Sequence, residues 1–177
     1  GIESMQSGDY EGALAAFDGA LACCTGKITD LEIDICYYKA AAQYAAQDTA
    51  GALETYNAMI DYDRKNANAY YLRGCLKLDT GDTDGAKQDF ADAVKYNHSD
   101  YELYINIYKN LAAYDLAEDG TAYLNDAFSI KGNDAESLAY RGEIYYLLGQ
   151  YDNAIKELTS AIDAGSAAAN LTLAQVY

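Results

Sequence analysis

Apolar residues recur along this chain at helical spacing, in short runs divided by turn residues. In the stretch 67–100, Tyr70, Gly74 and Leu78 share one face of a predicted helix. Ala86, Phe90, Ala93 and Val94 share one face of the next, and Thr80-Gly81-Asp82 is the turn between them. Neither helix can hide its apolar face alone, so the pattern predicts hairpins that stack on one another.

The hairpin repeats. Arg73-Gly74 returns as Arg141-Gly142, Gly81 as Gly149 and Ala86 as Ala154, all at one and the same offset. That offset is two steps of about 34 residues, and such a period predicts an all-α array of antiparallel helix hairpins, an architecture that works mainly as a binding surface. Full units fall at 33–66, 67–100, 101–134 and 135–166, flanked by half units at 1–27 and 167–177, in a single array over 1–177. Gly8-Asp9-Tyr10 and Gln47-Asp48-Thr49 stand further apart than one period, which places an insertion at 28–32. Thr29-x-x-Glu32 has the spacing of a capping box, so the insertion is expected to lengthen the next helix at its start. Ser99-x-x-Glu102 predicts another helix start in the same way.

The chain has no proline, so Asn, Asp and Ser at 97–100 and 133–134 must end and restart helices. The fourth unit departs from the pattern. Tyr108 stands where Gly74 and Gly142 do, and Gly120 where Ala86 and Ala154 do. A large residue opposite the smallest one conserves volume at a close helix crossing, so the Tyr108 ring is expected over Gly120.

Charge narrows the partners. Against 12 Lys and Arg stand 28 Asp and Glu, a formal net charge of −16, which disfavours nucleic acid and anionic membranes and suits a neutral or basic partner. No stretch reaches the ~18 apolar residues of a membrane-spanning helix, so direct membrane insertion by this segment is not expected. Neither does a basic segment precede an apolar run as in a signal peptide. The chain opens at Gly1 inside a half unit and is expected to be a piece of a longer protein. Low Lys and Arg with abundant Tyr, Asp and Gly is compatible with a bacterial protein working outside the cytoplasm.

No constellation supports catalysis, a cofactor or a metal. Cys23, Cys24, Cys36 and Cys75 lack the CxxC spacing of a zinc site, and His98 is the one histidine. Cys36 and Cys75 lie in apolar helical runs, where thiols act as small hydrophobes. Asp79-Thr80-Gly81-Asp82-Thr83-Asp84-Gly85 resembles a calcium loop only until Gly85 is registered as its turn glycine. The first ligand place is then Thr80 and the last Ala91, so a helix-capping turn is the expectation.

Ala69-Tyr70-Tyr71-Leu72-Arg73-Gly74 with Gly81-Asp82 and Ala86 resembles the tetratricopeptide repeat. So does Leu138-Ala139-Tyr140-Arg141-Gly142 with Gly149-Gln150-Tyr151 and Ala154, and the resemblance extends over essentially the whole chain. It implies a right-handed superhelical solenoid whose first helices line a concave groove for a partner segment. Carried over by position, the groove set is Asp34, Tyr37, Tyr38 and Tyr44, then Asn68, Tyr71, Leu72 and Cys75. It continues with Glu102, Ile105, Asn106 and Lys109, and ends with Glu136, Tyr140, Glu143 and Tyr146.

Tyrosine offers large contact area, few rotors and a hydrogen-bonding tip, as binding surfaces favour. The resemblance also brings the family's carboxylate clamp, which grips chaperone C-terminal tails with Lys, Arg and Asn. Here Lys109 is the one groove cation, so such tails are not the expected partner. The reading is a non-catalytic scaffold binding a neutral or basic peptide or helix in an acidic, tyrosine-rich groove. Its alternative is a spacer or an end-to-end self-association module within a larger protein.

Overall fold

The computed structural model describes residues 1–24 and 28–177. Among the described residues there are eleven helices and no strand. The chain divides into two compact units, Gly1–Tyr96 and Asn97–Tyr177. The first holds α1 (Ile2–Gln6), α2 (Tyr10–Ala22), α3 (Asp30–Ala45), α4 (Thr49–Tyr62), α5 (Ala67–Asp79) and α6 (Thr83–Tyr96). The second holds α7 (Tyr101–Ala113), α8 (Ala117–Ala127), α9 (Ala135–Leu147), α10 (Tyr151–Asp163) and α11 (Ala168–Val176). In the first unit consecutive helices pack on one another, and in the second α7 packs on α8, α9 on α10 and α10 on α11, with α9 also meeting α7.

One turn chemistry recurs from hairpin to hairpin. The segments 46–48, 80–82, 114–116 and 148–150 each join two helices. The middle residue takes a positive φ: Gln47 at 65°, Gly81 at 82°, Asp115 at 60° and Gly149 at 71°. In each turn the N–H of the third residue donates back into the last turn of the preceding helix, for example Asp82 N to Lys77 O at 2.9 Å, which closes a Schellman-type cap. The third residue then starts the next helix. Asp48 Oδ1 accepts from Gly51 N at 2.9 Å and Asp82 Oδ1 from Gly85 N at 3.0 Å. The calcium-loop lookalike is therefore a capping turn. At Gly85 an added Cβ would meet the capping carboxylate of Asp82.

Among the first helices of the hairpins α3 is long, with 16 residues where α5, α7 and α9 have 13. Its extra length lies at the start, where Thr29 N donates to Glu32 Oε2 at 2.7 Å and completes the capping box. The boundary drawn between 27 and 28 touches the stretch 25–27, which lies outside the described residues. At α7 the expected cap moves by one residue. Asp100, not Ser99, accepts from Glu102 N at 3.0 Å and Leu103 N at 3.2 Å. Both orphan N–H groups converge on the single oxygen Asp100 Oδ1.

Small residues mark where helices cross. An added Cβ on Gly74 would sit 2.7 Å from Phe90 Cε1, and one on Gly142 2.5 Å from Leu158 Cγ. Each glycine thus makes room for the side chain one turn beyond the paired alanine. In the fourth repeat the arrangement reverses. Tyr108 is half-buried, and a Cβ on Gly120 would lie 3.0 Å from its Cδ2 and 3.2 Å from its Cα.

Candidate functional site

The groove positions distribute unevenly between packing and surface. In the first unit, the Tyr37 hydroxyl donates to Asn66 Oδ1 at 2.6 Å, and that oxygen also caps α5 through Ala69 N. Tyr71 is half-buried against Phe90, with centroids 6.1 Å apart. Tyr38 and Tyr44 remain 44% and 50% exposed, although Tyr38 stacks on Phe17. Asp34 and Asn68 are exposed.

Tyr44, Leu72 and Cys75 come together with Tyr56 and Asp79 around a cleft of about 260 Å³. Tyr44 Oη donates to Asp79 Oδ2 at 2.6 Å, and this bond is the main reason its pKa is raised. Burial pushes the Cys75 thiol up to about 11, so it lines the cleft as a neutral thiol.

In the second unit, Glu136, Tyr140 and Glu143 border a cleft of about 250 Å³ with Ala168 and Thr172. Tyr140 stacks on Tyr101 at 5.6 Å, and burial first, then Glu102 and Glu136, raise its hydroxyl pKa. Lys109 Nζ meets Glu143 Oε1 at 2.8 Å, so this cation is neutralised within the protein. Tyr146 is half-buried beside Tyr151, Asn106 is half-buried, and Ile105 is only 2% exposed. Ile105 is therefore a core residue rather than a groove contact, because α7 also buries Tyr101, Leu103, Tyr104, Ile107 and Leu111.

A second set of charged residues escaped the sequence reading. Arg73 donates from Nε to Asp89 Oδ2 at 2.9 Å and from Nη2 to Asp89 Oδ1 at 2.6 Å, and from Nη1 to Asn57 Oδ1 at 2.6 Å. Lys77 Nζ adds a contact to Asp89 at 2.9 Å. Arg141 repeats the device, reaching Glu157 Oε2 from Nε at 3.1 Å and Nη2 at 2.9 Å. The available signal was an arginine with an acid at the same separation after it, in two repeats that also share Gly74 and Gly142. These pairs lock each first helix to its second and are spent on the fold.

Among the described residues no three His, Cys, Asp or Glu side chains form a metal-sized group, and no helix is long and apolar enough to cross a membrane.

The tetratricopeptide repeat model matches residues 67–100 and 135–164. Among curated proteins, none matches the sequence. The fold is similar to that of a thermophilic tetratricopeptide repeat protein of Thermus thermophilus, at 18% identity and a TM-score of 0.55 over 99% of this chain and 94% of that one. It is similar to the C-terminal part of a repeat-containing protein of Cytophaga hutchinsonii, at 15% identity and 0.59 over 99% and 68%. MamA is likewise similar, at 17% identity and 0.54 over 92% of each chain.

Proposed function

The chain is a tetratricopeptide repeat protein, a fold of protein–protein interaction scaffolds, and from that premise we propose that it binds neutral or basic peptide segments without catalysing a reaction on them. The observation that carries this reading is the chemistry of the two groove-side clefts. Each has apolar walls and a carboxylate rim: Leu72, Tyr56 and Cys75 with Asp79 in the first unit, Ala139 and Tyr140 with Glu136 in the second. Such a wall takes an apolar side chain, while the carboxylates attract Lys or Arg and repel acidic tails. Lys109 offers an anion little, being already paired.

The test is a peptide array of acidic, neutral and basic segments, followed by titration calorimetry. Basic segments should bind, with affinity falling as salt rises. Tyr44→Ala and Asp79→Asn should weaken binding in the first cleft, and Tyr140→Ala and Glu136→Gln in the second. Binding that all four changes leave intact removes the assignment.

One observation favours the alternative of self-association. On α11, Leu171 is 71% exposed, although Ala169 on the same helix is fully buried. Light scattering across concentrations separates the readings. A strict monomer supports the peptide scaffold, and a concentration-dependent oligomer abolished by Leu171→Glu supports self-association.

A further inference from the structure

A larger cleft, of about 340 Å³, lies away from the groove positions, between α2, α3 and α4. Its size is at the lower end of small-ligand pockets, which run from about 300 to 1,000 Å³. The repeat period explains why it is there. Cys36 on its wall corresponds to Tyr70, Tyr104 and Leu138 at successive steps of the period, so this repeat alone among the four full ones is small at that place.

In the next repeat the same space is full. Tyr70 stacks on Tyr96, with centroids 5.8 Å apart and planes 27° from parallel, and the Arg73 guanidinium lies 5.5 Å over its ring. Asp89 and Asp92 also stand close enough to raise the Tyr70 pKa, behind desolvation as the largest cause. One period before Tyr96, Arg73, Asp89 and Asp92 stand Tyr62, Lys39, Thr55 and Ala58, and all four line the cleft. Tyr62, with no ring stacked on it from Cys36, is 52% exposed. The cleft is the Tyr70 socket without its tyrosine, with Thr55 and Ala58 in place of Asp89 and Asp92 and Glu32 as the carboxylate on its lining.

We propose that this socket binds one aromatic ring from outside the chain, that of a tyrosine side chain presented by a partner polypeptide. The internal template decides the chemistry: a phenol ring on a polypeptide fills the equivalent space, stacked on Tyr96 and under a cation. Tyr62 supplies the stacking face, Ile33 and Met59 the apolar walls, and Lys39 the cation, which Asp18 holds at 2.6 Å. The site is independent of the groove-side clefts, so failure of either reading leaves the other standing.

Two probes test it: p-cresol, which is the tyrosine side chain alone, and the capped tripeptide N-acetyl-Gly-Tyr-Gly-amide. The readout is alkylation of Cys36 by iodoacetamide, followed for each cysteine by mass spectrometry, with the exposed Cys23, which lines none of the three clefts, as the internal control. Each probe, at about four times its Kd, should slow Cys36 labelling about fivefold and leave Cys23 unchanged. Tyr62→Ala should abolish that protection. Cys36→Tyr should rebuild the internal stack, raise Tm by about 2–4 °C and remove the thermal shift that p-cresol gives the unaltered protein.

No protection by either probe, or protection that survives Tyr62→Ala, overturns the site. Protection by p-cresol but not by the tripeptide overturns the polypeptide source in favour of a free small aromatic. A fall in Tm for Cys36→Tyr shows that the socket cannot hold a ring and also overturns the proposal.

Discussion

Arg73 holds Asp89 in a fork of two hydrogen bonds, at 2.9 and 2.6 Å, across the α5–α6 hairpin. Asp89 is 1% exposed and has Lys77 as a second cation, so it sits at the centre of a buried ionic cluster. Removing the acid alone leaves two cations facing each other without it. Asp89→Ala is expected to cost about 3 kcal/mol in urea unfolding. Arg73→Lys keeps the charge but loses the fork, and should cost about 1.5 kcal/mol.

Tyr108 over Gly120 gives a coupled pair. Gly120→Ala places a methyl 3.0 Å from the ring and 3.2 Å from the Tyr108 Cα, so the crossing must open by a few tenths of an ångström. The single change should cost about 1–2 kcal/mol. In a Tyr108→Ala background it should cost less, with a coupling of about 1 kcal/mol in a double-mutant cycle. Strict additivity would mean that the ring does not rest on the glycine.

Glu32 should titrate low. The Thr29 hydroxyl, then the Thr29 backbone N–H, then the Cys24 thiol bond its carboxylate and hold its pKa at about 2 against an ordinary 4.5. A depressed carboxylate contributes stability that is fully present above pH 4.5 and is lost as pH falls towards 2. NMR titration of the Glu32 carboxyl should show the low midpoint, and Thr29→Ala should return it towards 4.5.

Thiol reactivity should rank by burial. Cys23 and Cys24 are exposed, whereas burial pushes the Cys75 thiol up to about 11. At about pH 8, Cys75 should label far more slowly than Cys23 with Ellman's reagent, and denaturant should erase the difference. Equal rates in the folded protein would contradict the packing around Cys75.

Local chemistry was open to reading. The repeat period, the glycine turns at Gly81 and Gly149 and the capping box at Thr29 each depend on residues near in sequence. The shifted cap at Asp100 shows the limit even there, since two neighbouring residues could both cap and the carboxylate took the N–H groups. Tyr108 over Gly120 was readable for a different reason: a repeat supplies its own reference, so a paired size change stands out against Gly74 and Ala86.

The sequence by itself determined the all-α hairpin repeat and several of its caps, because periodicity and capping are short-range. Only the tertiary structure decided which of the groove side chains are engaged in packing and which stay exposed. It paired Lys109 with Glu143 of the following repeat, bound the Tyr37 hydroxyl to Asn66 and buried Ile105. It also showed that the small Cys36 leaves a socket beside Tyr62 where the next repeat stacks Tyr70 on Tyr96. A helix face lists candidates for contact, but the neighbouring helices decide which of them meet.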